Sequence, residues 1–253
     1  SFYMLSTNEK KYNTFVFLST FARGMAEIYL PIFLYNKGIN LHFIFFFFLF
    51  YFFIKNLLNV PVVYLGKKIK FKWIIVISSL FLGMTFNFAT TMINSLINIT
   101  ILAFLFACFT QNYWAGRHYY ALAVLPKKNI GDEVGNIIIF TQLAFILAPF
   151  IGALIVELFN PLILSIIVTI IALIAIIPIF FIKELKCDNC LDPIKVLKEA
   201  PKSSLLFLAI EQFRILPLTF FPLYIYLNIQ GDFSYIGLVN VTIGIASMLF
   251  VYS

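Results

Sequence analysis

FARGMAEIYLPIFLY, residues 21–35, has a counterpart 191 residues further along the chain, FRILPLTFFPLYIY, residues 213–226. In the first, Arg23 is followed eight positions later by Pro31; in the second, Arg214 is followed eight positions later by Pro222. A glycine trails each stretch, Gly38 and Gly231, before the next apolar run. Both arginines sit inside apolar runs, where a lipid-facing helix should carry no charge. Each has a carboxylate within one helical turn, Glu27 after Arg23 and Glu211 before Arg214, so each pair shares a helix face. An offset of this size is one six-helix unit. Two parallel six-helix halves related by an axis along the membrane normal are a known architecture of secondary transporters.

Composition agrees. Of 253 residues 62% are hydrophobic and 11% charged, and the mean hydropathy is +0.99. A water-soluble domain of this length cannot hide so much apolar surface. The chain therefore reads as an all-α integral membrane protein. Phenylalanine runs such as 43–53 read as lipid-facing bulk. The net charge of +7 sits in short loops between apolar runs, where it sets topology and does not mark a nucleic-acid surface. Cys108, Cys187 and Cys190 form no disulfide framework. The CDNC of 187–190 has neither two further zinc ligands nor a thioredoxin-like context, so no metal, cofactor or catalytic centre is expected. The first apolar segment is too long for a cleavable signal peptide. An opening without methionine and a stop inside an apolar run read as a fragment.

Eight segments are long and apolar enough to cross a bilayer: 13–35, 41–65, 73–92, 95–124, 135–158, 160–182, 203–228 and 234–253. The fourth is too long for one straight crossing, and its turns after Trp114 are expected to leave the membrane. Nothing alternates as barrel strands do. Lys10 and Lys11, Lys67 to Lys72, Lys127 and Lys128, and Lys183 to Lys202 fall at one end of the segments, and only Lys37 at the other. The positive-inside rule then puts the N-terminus in the cytoplasm. The domains expected are a six-helix bundle over 1–183, a cytoplasmic central loop over 184–202, and the start of a second bundle over 203–253. Within the loop, residues 192–200 predict a short surface helix led by Asp192 and Pro193.

This layout resembles the major facilitator superfamily, with eight of an expected twelve transmembrane helices present. YLGKKIKFKW, residues 64–73, keeps the glycine and basic run of the family's loop between helices two and three but lacks its aspartate. QLAFILAPFIGAL, residues 142–154, is similar to the family's glycine-rich helix-five motif, with alanines for several glycines. There Ala144, Ala148 and Gly152 form a small-residue stripe that lets another helix come close. The resemblance implies that helices one and seven line a central cavity, with Arg23 and Arg214 facing each other across it. Such a pair is similar to that of the organophosphate–phosphate antiporters. Gly24, Pro31, Pro217 and Pro222 would supply kinks near that site.

The candidate substrate-binding residues are Arg23, Glu27, Glu211, Arg214, Lys55 and Asn59. A guanidinium suits carboxylate or phosphate because its planar fork donates two parallel hydrogen bonds. The other reading is that each arginine is locked to its own glutamate and only holds a kinked helix together. Glu27 and Glu211 are also proton-coupling candidates, since protonation would release the arginine. Lys55 either lines the cavity or snorkels. Asn87, Gln111 and Asn112 either line the cavity or, in the preferred reading, cross-link helices. In TQNYWAGRHYYAL, residues 110–122, Arg117 reads as a snorkelling residue of an aromatic belt. His118 is a third proton-coupling candidate, because imidazole changes charge near neutral pH.

The function expected is secondary active transport of a small solute, with an anion suggested by the arginines, by alternating access at the plasma (inner) membrane. The partners expected are that solute, H+ as the coupling ion, and the lipid bilayer, with no nucleic acid and a monomeric state. A lipid flippase of the same fold and a non-transporting sensor or assembly protein are the alternatives. No nucleophile–base pair supports an enzyme.

Overall fold

The first span is not one helix but three pieces. Helix α1 (Thr7–Gly24) ends at its glycine, a 3-10 turn follows at Glu27–Tyr29, and α2 (Leu30–Asn36) completes the crossing. Pro31 has no N–H to give the Glu27 carbonyl, and its ring would collide with that oxygen in a regular helix. The Leu30 N–H takes the Glu27 carbonyl instead, in a tighter turn. On the other side, the Ala26 N–H reaches the Arg23 carbonyl at 3.2 Å, again three residues back.

The remaining elements are α3 (Leu41–Ile69), α4 (Phe71–Thr91), α5 (Leu96–Val124), α6 (Ile130–Leu158), α7 (Pro161–Phe180), α8 (Pro193–Glu199), α9 (Pro201–Asn228) and α10 (Phe233–Tyr252). This computed structural model describes residues 7–124, 130–182, 193–229 and 231–252. Within the helices, the side chains of 122–124, 130–134, 193, 196, 197, 204, 205, 207–218 and 249–252 lie outside that description. Among the described residues all regular structure is helical, and six helical segments are long and apolar enough to cross a membrane. Helices α9 and α10 occupy the seventh and eighth expected spans, and α8 matches the expected surface helix. Helix α5 runs unbroken to Val124, and the bundle packs it beyond Trp114, with Tyr120 buried.

Two short links show how local sequence ends and starts helices. Lys70, at φ 75°, is the one residue between α3 and α4. Gly66 lets the link close, since a Cβ there would lie 2.5 Å from the Phe71 ring. At the start of α7, the Asn160 side chain accepts the Ile163 N–H at 2.9 Å and Pro161 fills the first turn.

Helix α1 wedges between α6 and α7 and touches α5; α4 lies on α5 and α7; α3 lies on α5. The α1–α2 span is the least apolar and the most enclosed, while α7 is the most apolar. Polar side chains thus sit inside the bundle, as an apolar solvent requires. The expected close approach along α6 is present. A Cβ on Gly152 would stand 2.1 Å from the Met25 carbonyl oxygen, and one on Gly24 would stand 3.0 Å from Ala148 Cβ. The other side of α6 takes α10, through Gly237 against Phe150 and Ala153 and Gly244 against Ile146. Asn87 links α4 to α7, donating to Thr169 Oγ1 at 3.0 Å and accepting from Ser165 Oγ at 3.1 Å.

The kinks expected in both repeats differ. Helix α9 is assigned helical from Pro201 to Asn228 where α1 breaks. The position equivalent to Gly24 is Ile215, so the repeat keeps the proline and loses the glycine at which α1 ends.

Candidate functional site

Arg23 lies near the middle of the 30-residue span Thr7–Asn36, on the last turn of α1. Its side chain is buried, and its Nε is 2.9 Å from Glu27 Oε2 across the helix break. The two atoms are close enough for an ion pair, but Nε is not aligned for a hydrogen bond and has none. Glu27 is the more open partner, with 30% of its side chain exposed against 6% for Arg23. Three aromatic rings enclose the guanidinium: Tyr113 and Trp114 of α5 at 5.2 Å each and Phe145 of α6 at 5.1 Å. A desolvated guanidinium over such faces gains on the order of 2 kcal/mol per good contact.

Those rings are shared. Arg117, one turn further along α5, has its guanidinium 5.2 Å from the same Trp114 ring and 5.9 Å from the same Tyr113 ring. The two charged carbons are therefore no farther apart than about twice the Trp114 distance. At that upper limit like charges repel by on the order of 1–2 kcal/mol at an effective dielectric of about 20, and by more if they lie nearer. Arg117 donates to Tyr113 Oη at 3.0 Å and to Thr141 Oγ1 of α6 at 2.8 Å. Tyr113 Oη is also 3.2 Å from Thr20 Oγ1, one turn before Arg23, and Tyr12 Oη donates to the Arg117 carbonyl at 2.7 Å. The result is a polar layer through α1, α5 and α6. It holds two buried guanidiniums, Arg23 and Arg117, and the Glu27 carboxylate paired with Arg23.

This corrects the snorkelling reading of Arg117, which is 8% exposed and turned into the bundle. Sequence reasoning missed it as a site residue. The signal available was Tyr113 and Arg117 four residues apart, on one face of an otherwise apolar helix. His118, the proton-coupling candidate, is exposed and stacks on Trp114 at 5.5 Å, on the outside of this layer. Lys55 is buried in α3, and Asn59, one turn on, is exposed and accepts from Gln111 Nε2 of α5 at 3.0 Å. Asn112 donates to the Cys108 carbonyl of its own helix at 2.7 Å, so it does not cross-link helices through that donor. The side chains of Glu211 and Arg214, and residues Cys187 and Cys190, lie outside the described residues.

The end of the bundle carrying the α2–α3 turn brings α9 and α10 onto the first six spans. Phe233 packs on Tyr29, Phe33 and Tyr226 with ring centroids 5.4–5.9 Å apart. Tyr226 Oη donates to Asn36 Oδ1 at 3.1 Å, and the Ser234 N–H donates to Glu157 Oε1 at 2.7 Å. Ser234 Oγ also binds Glu157 Oε2. Tyr29 donates to the Pro149 carbonyl at 2.6 Å, tying the break in the first span to α6.

The sequence model of the Major Facilitator Superfamily matches residues 14–253, nearly the whole chain. The chain belongs to the major facilitator superfamily. No curated protein matches it. As a superfamily member it is a multi-pass membrane protein of the transporter class. Its polar layer lies within α1, α5 and α6, and α9 and α10 meet the earlier helices through the Phe233, Tyr226 and Ser234 contacts.

Proposed function

We propose that the protein is a secondary active transporter that carries a small, anionic solute across the plasma membrane by alternating access. The two halves, over 1–183 and from 203 onward, would rock about a central site with the segment 184–202 between them. The observation that carries this reading is the buried Arg23, near the middle of the first span and paired with the half-buried Glu27 across a break in the helix. A charge in that position is costly, at least about 2.5–3.5 kcal/mol on insertion scales. A purely structural ion pair has no need of a broken helix beside it. The distribution of lysines supports a cytoplasmic N-terminus. With that orientation the contacts of Phe233 and Glu157 would lie at the outer end, which supports a conformation closed to the outside.

Glu27 is the proposed proton site. When protonated it no longer holds Arg23, and an anionic group can take the guanidinium. Counterflow in proteoliposomes tests the reading. Arg23→Gln and Arg214→Gln should each abolish exchange of the anion in protein that still elutes as a single species. Glu27→Gln should remove the response to a pH gradient while leaving solute binding measurable. Unchanged pH-gradient dependence in Glu27→Gln would remove Glu27 from the mechanism, and lipid translocation without solute exchange would favour a flippase.

A further inference from the structure

Arg214 was expected to supply the second cation of a site spanning both halves. The described side chains offer a second cation closer to hand. Arg23 and Arg117 flank the same pair of rings, Tyr113 and Trp114, inside the first six spans. Both guanidiniums are buried, and the Nε of Arg23 is buried without a hydrogen bond. One carboxylate, Glu27, pairs with Arg23, and it is the partly open member of the group. The Glu27 carboxylate balances one of the two desolvated guanidiniums, and the Arg23 Nε–H, held by Glu27 at 2.9 Å without hydrogen-bond alignment, is left poorly satisfied.

We propose that Arg23 and Arg117 form a two-guanidinium seat for an oxyanion, a carboxylate or phosphate group, walled by Tyr113 and Trp114 and contested by Glu27. The seat rests on the solute-transport reading but sits wholly within α1, the turn after it, α5 and α6, and needs nothing from Arg214. Glu27 plays the part of the ligand when the seat is empty, because its carboxylate has the chemistry the ligand would bring. The ligand enters on the side of Glu27, the exposed edge of the cluster. Thr141 and Tyr113 hold the Arg117 fork in place, so Arg117 is presented as a fork and not as a point charge.

The chain has two tryptophans, and Trp114 is one of them, so Trp73→Phe leaves an indole that reports on the seat. The full chain in detergent is titrated with inorganic phosphate, with succinate and with glucose at constant ionic strength, following Trp114 fluorescence. A saturable change with phosphate, succinate or both, and none with glucose, is expected; which anion responds tells phosphate from carboxylate. Arg117→Lys keeps the charge and loses the fork, and should weaken apparent affinity by about tenfold or more. Glu27→Gln should act in the opposite direction and tighten it, which a merely structural ion pair would not do. If Arg117→Lys does not fold, Thr141→Val, which removes one acceptor from the fork, is expected to weaken binding several-fold. Absence of a saturable response to both anions overturns the proposal, as does unchanged affinity in Arg117→Lys (or in Thr141→Val, where that stands in) or in Glu27→Gln. Intact titration without counterflow would overturn transport and leave the seat standing; counterflow of a neutral solute with no anion response would overturn the seat alone.

Discussion

Gly152 has no side chain because the Met25 carbonyl stands where a Cβ would go. At 2.1 Å a methyl group there cannot be absorbed by a rotamer change, since the obstacle is backbone. Gly152→Ala should therefore destabilise the protein by about 1–3 kcal/mol, seen as a lower thermal midpoint in detergent. Gly135, in the same helix, has nothing within 4 Å of a built Cβ. Gly135→Ala should be neutral or raise the midpoint slightly, by about 0.5–1 kcal/mol, through helix propensity alone. Tyr113 is the other residue whose loss can be priced. Tyr113→Phe takes an acceptor from Arg117 and a partner from Thr20, leaving a buried guanidinium N–H unsatisfied, at a cost of about 1–3 kcal/mol. The same thermal measurement checks it, and a midpoint matching the parent would mean that the layer re-forms without the hydroxyl.

Helix limits were largely legible in the sequence, because apolar run length and the prolines and glycines between runs report the same physical boundary. The expected spans 41–65 and 160–182 match α3 and α7 to within a few residues. The small-residue stripe at Ala148 and Gly152 predicted a close crossing, although not its partner, which is the carbonyl freed at the break in the first span. What could not be read was the direction in which a polar residue points. Arg117 and His118 are adjacent in an aromatic-rich turn, yet one is buried and the other exposed, because successive residues point about 100° apart around a helix. The break in the first span carries its own prediction. Pro31→Ala restores an N–H for the Glu27 carbonyl and lets the helix continue. It should leave the thermal midpoint equal or higher while slowing anion counterflow, and equal counterflow would show that the break is not used.

For the whole molecule, the contacts that join α9 and α10 to the earlier helices could not be read from the sequence. Phe233, Tyr226 and Glu157 are unremarkable in sequence and meet only because α10 lies along α6. Phe233→Ala should loosen that end, and a cysteine placed by Asn36→Cys should then react faster with a membrane-impermeant maleimide, while the buried Cys108 stays silent. No change in rate would show that the aromatic cluster is not the closure. The α3–α4 link has a consequence of its own. With one residue between them, the last Cα of α3 and the first Cα of α4 are at most about 7 Å apart, so at Lys70 the two helices are tightly tethered. If the protein alternates between states as proposed, α3 and α4 would have to arrive at that end together, as a single two-armed lever.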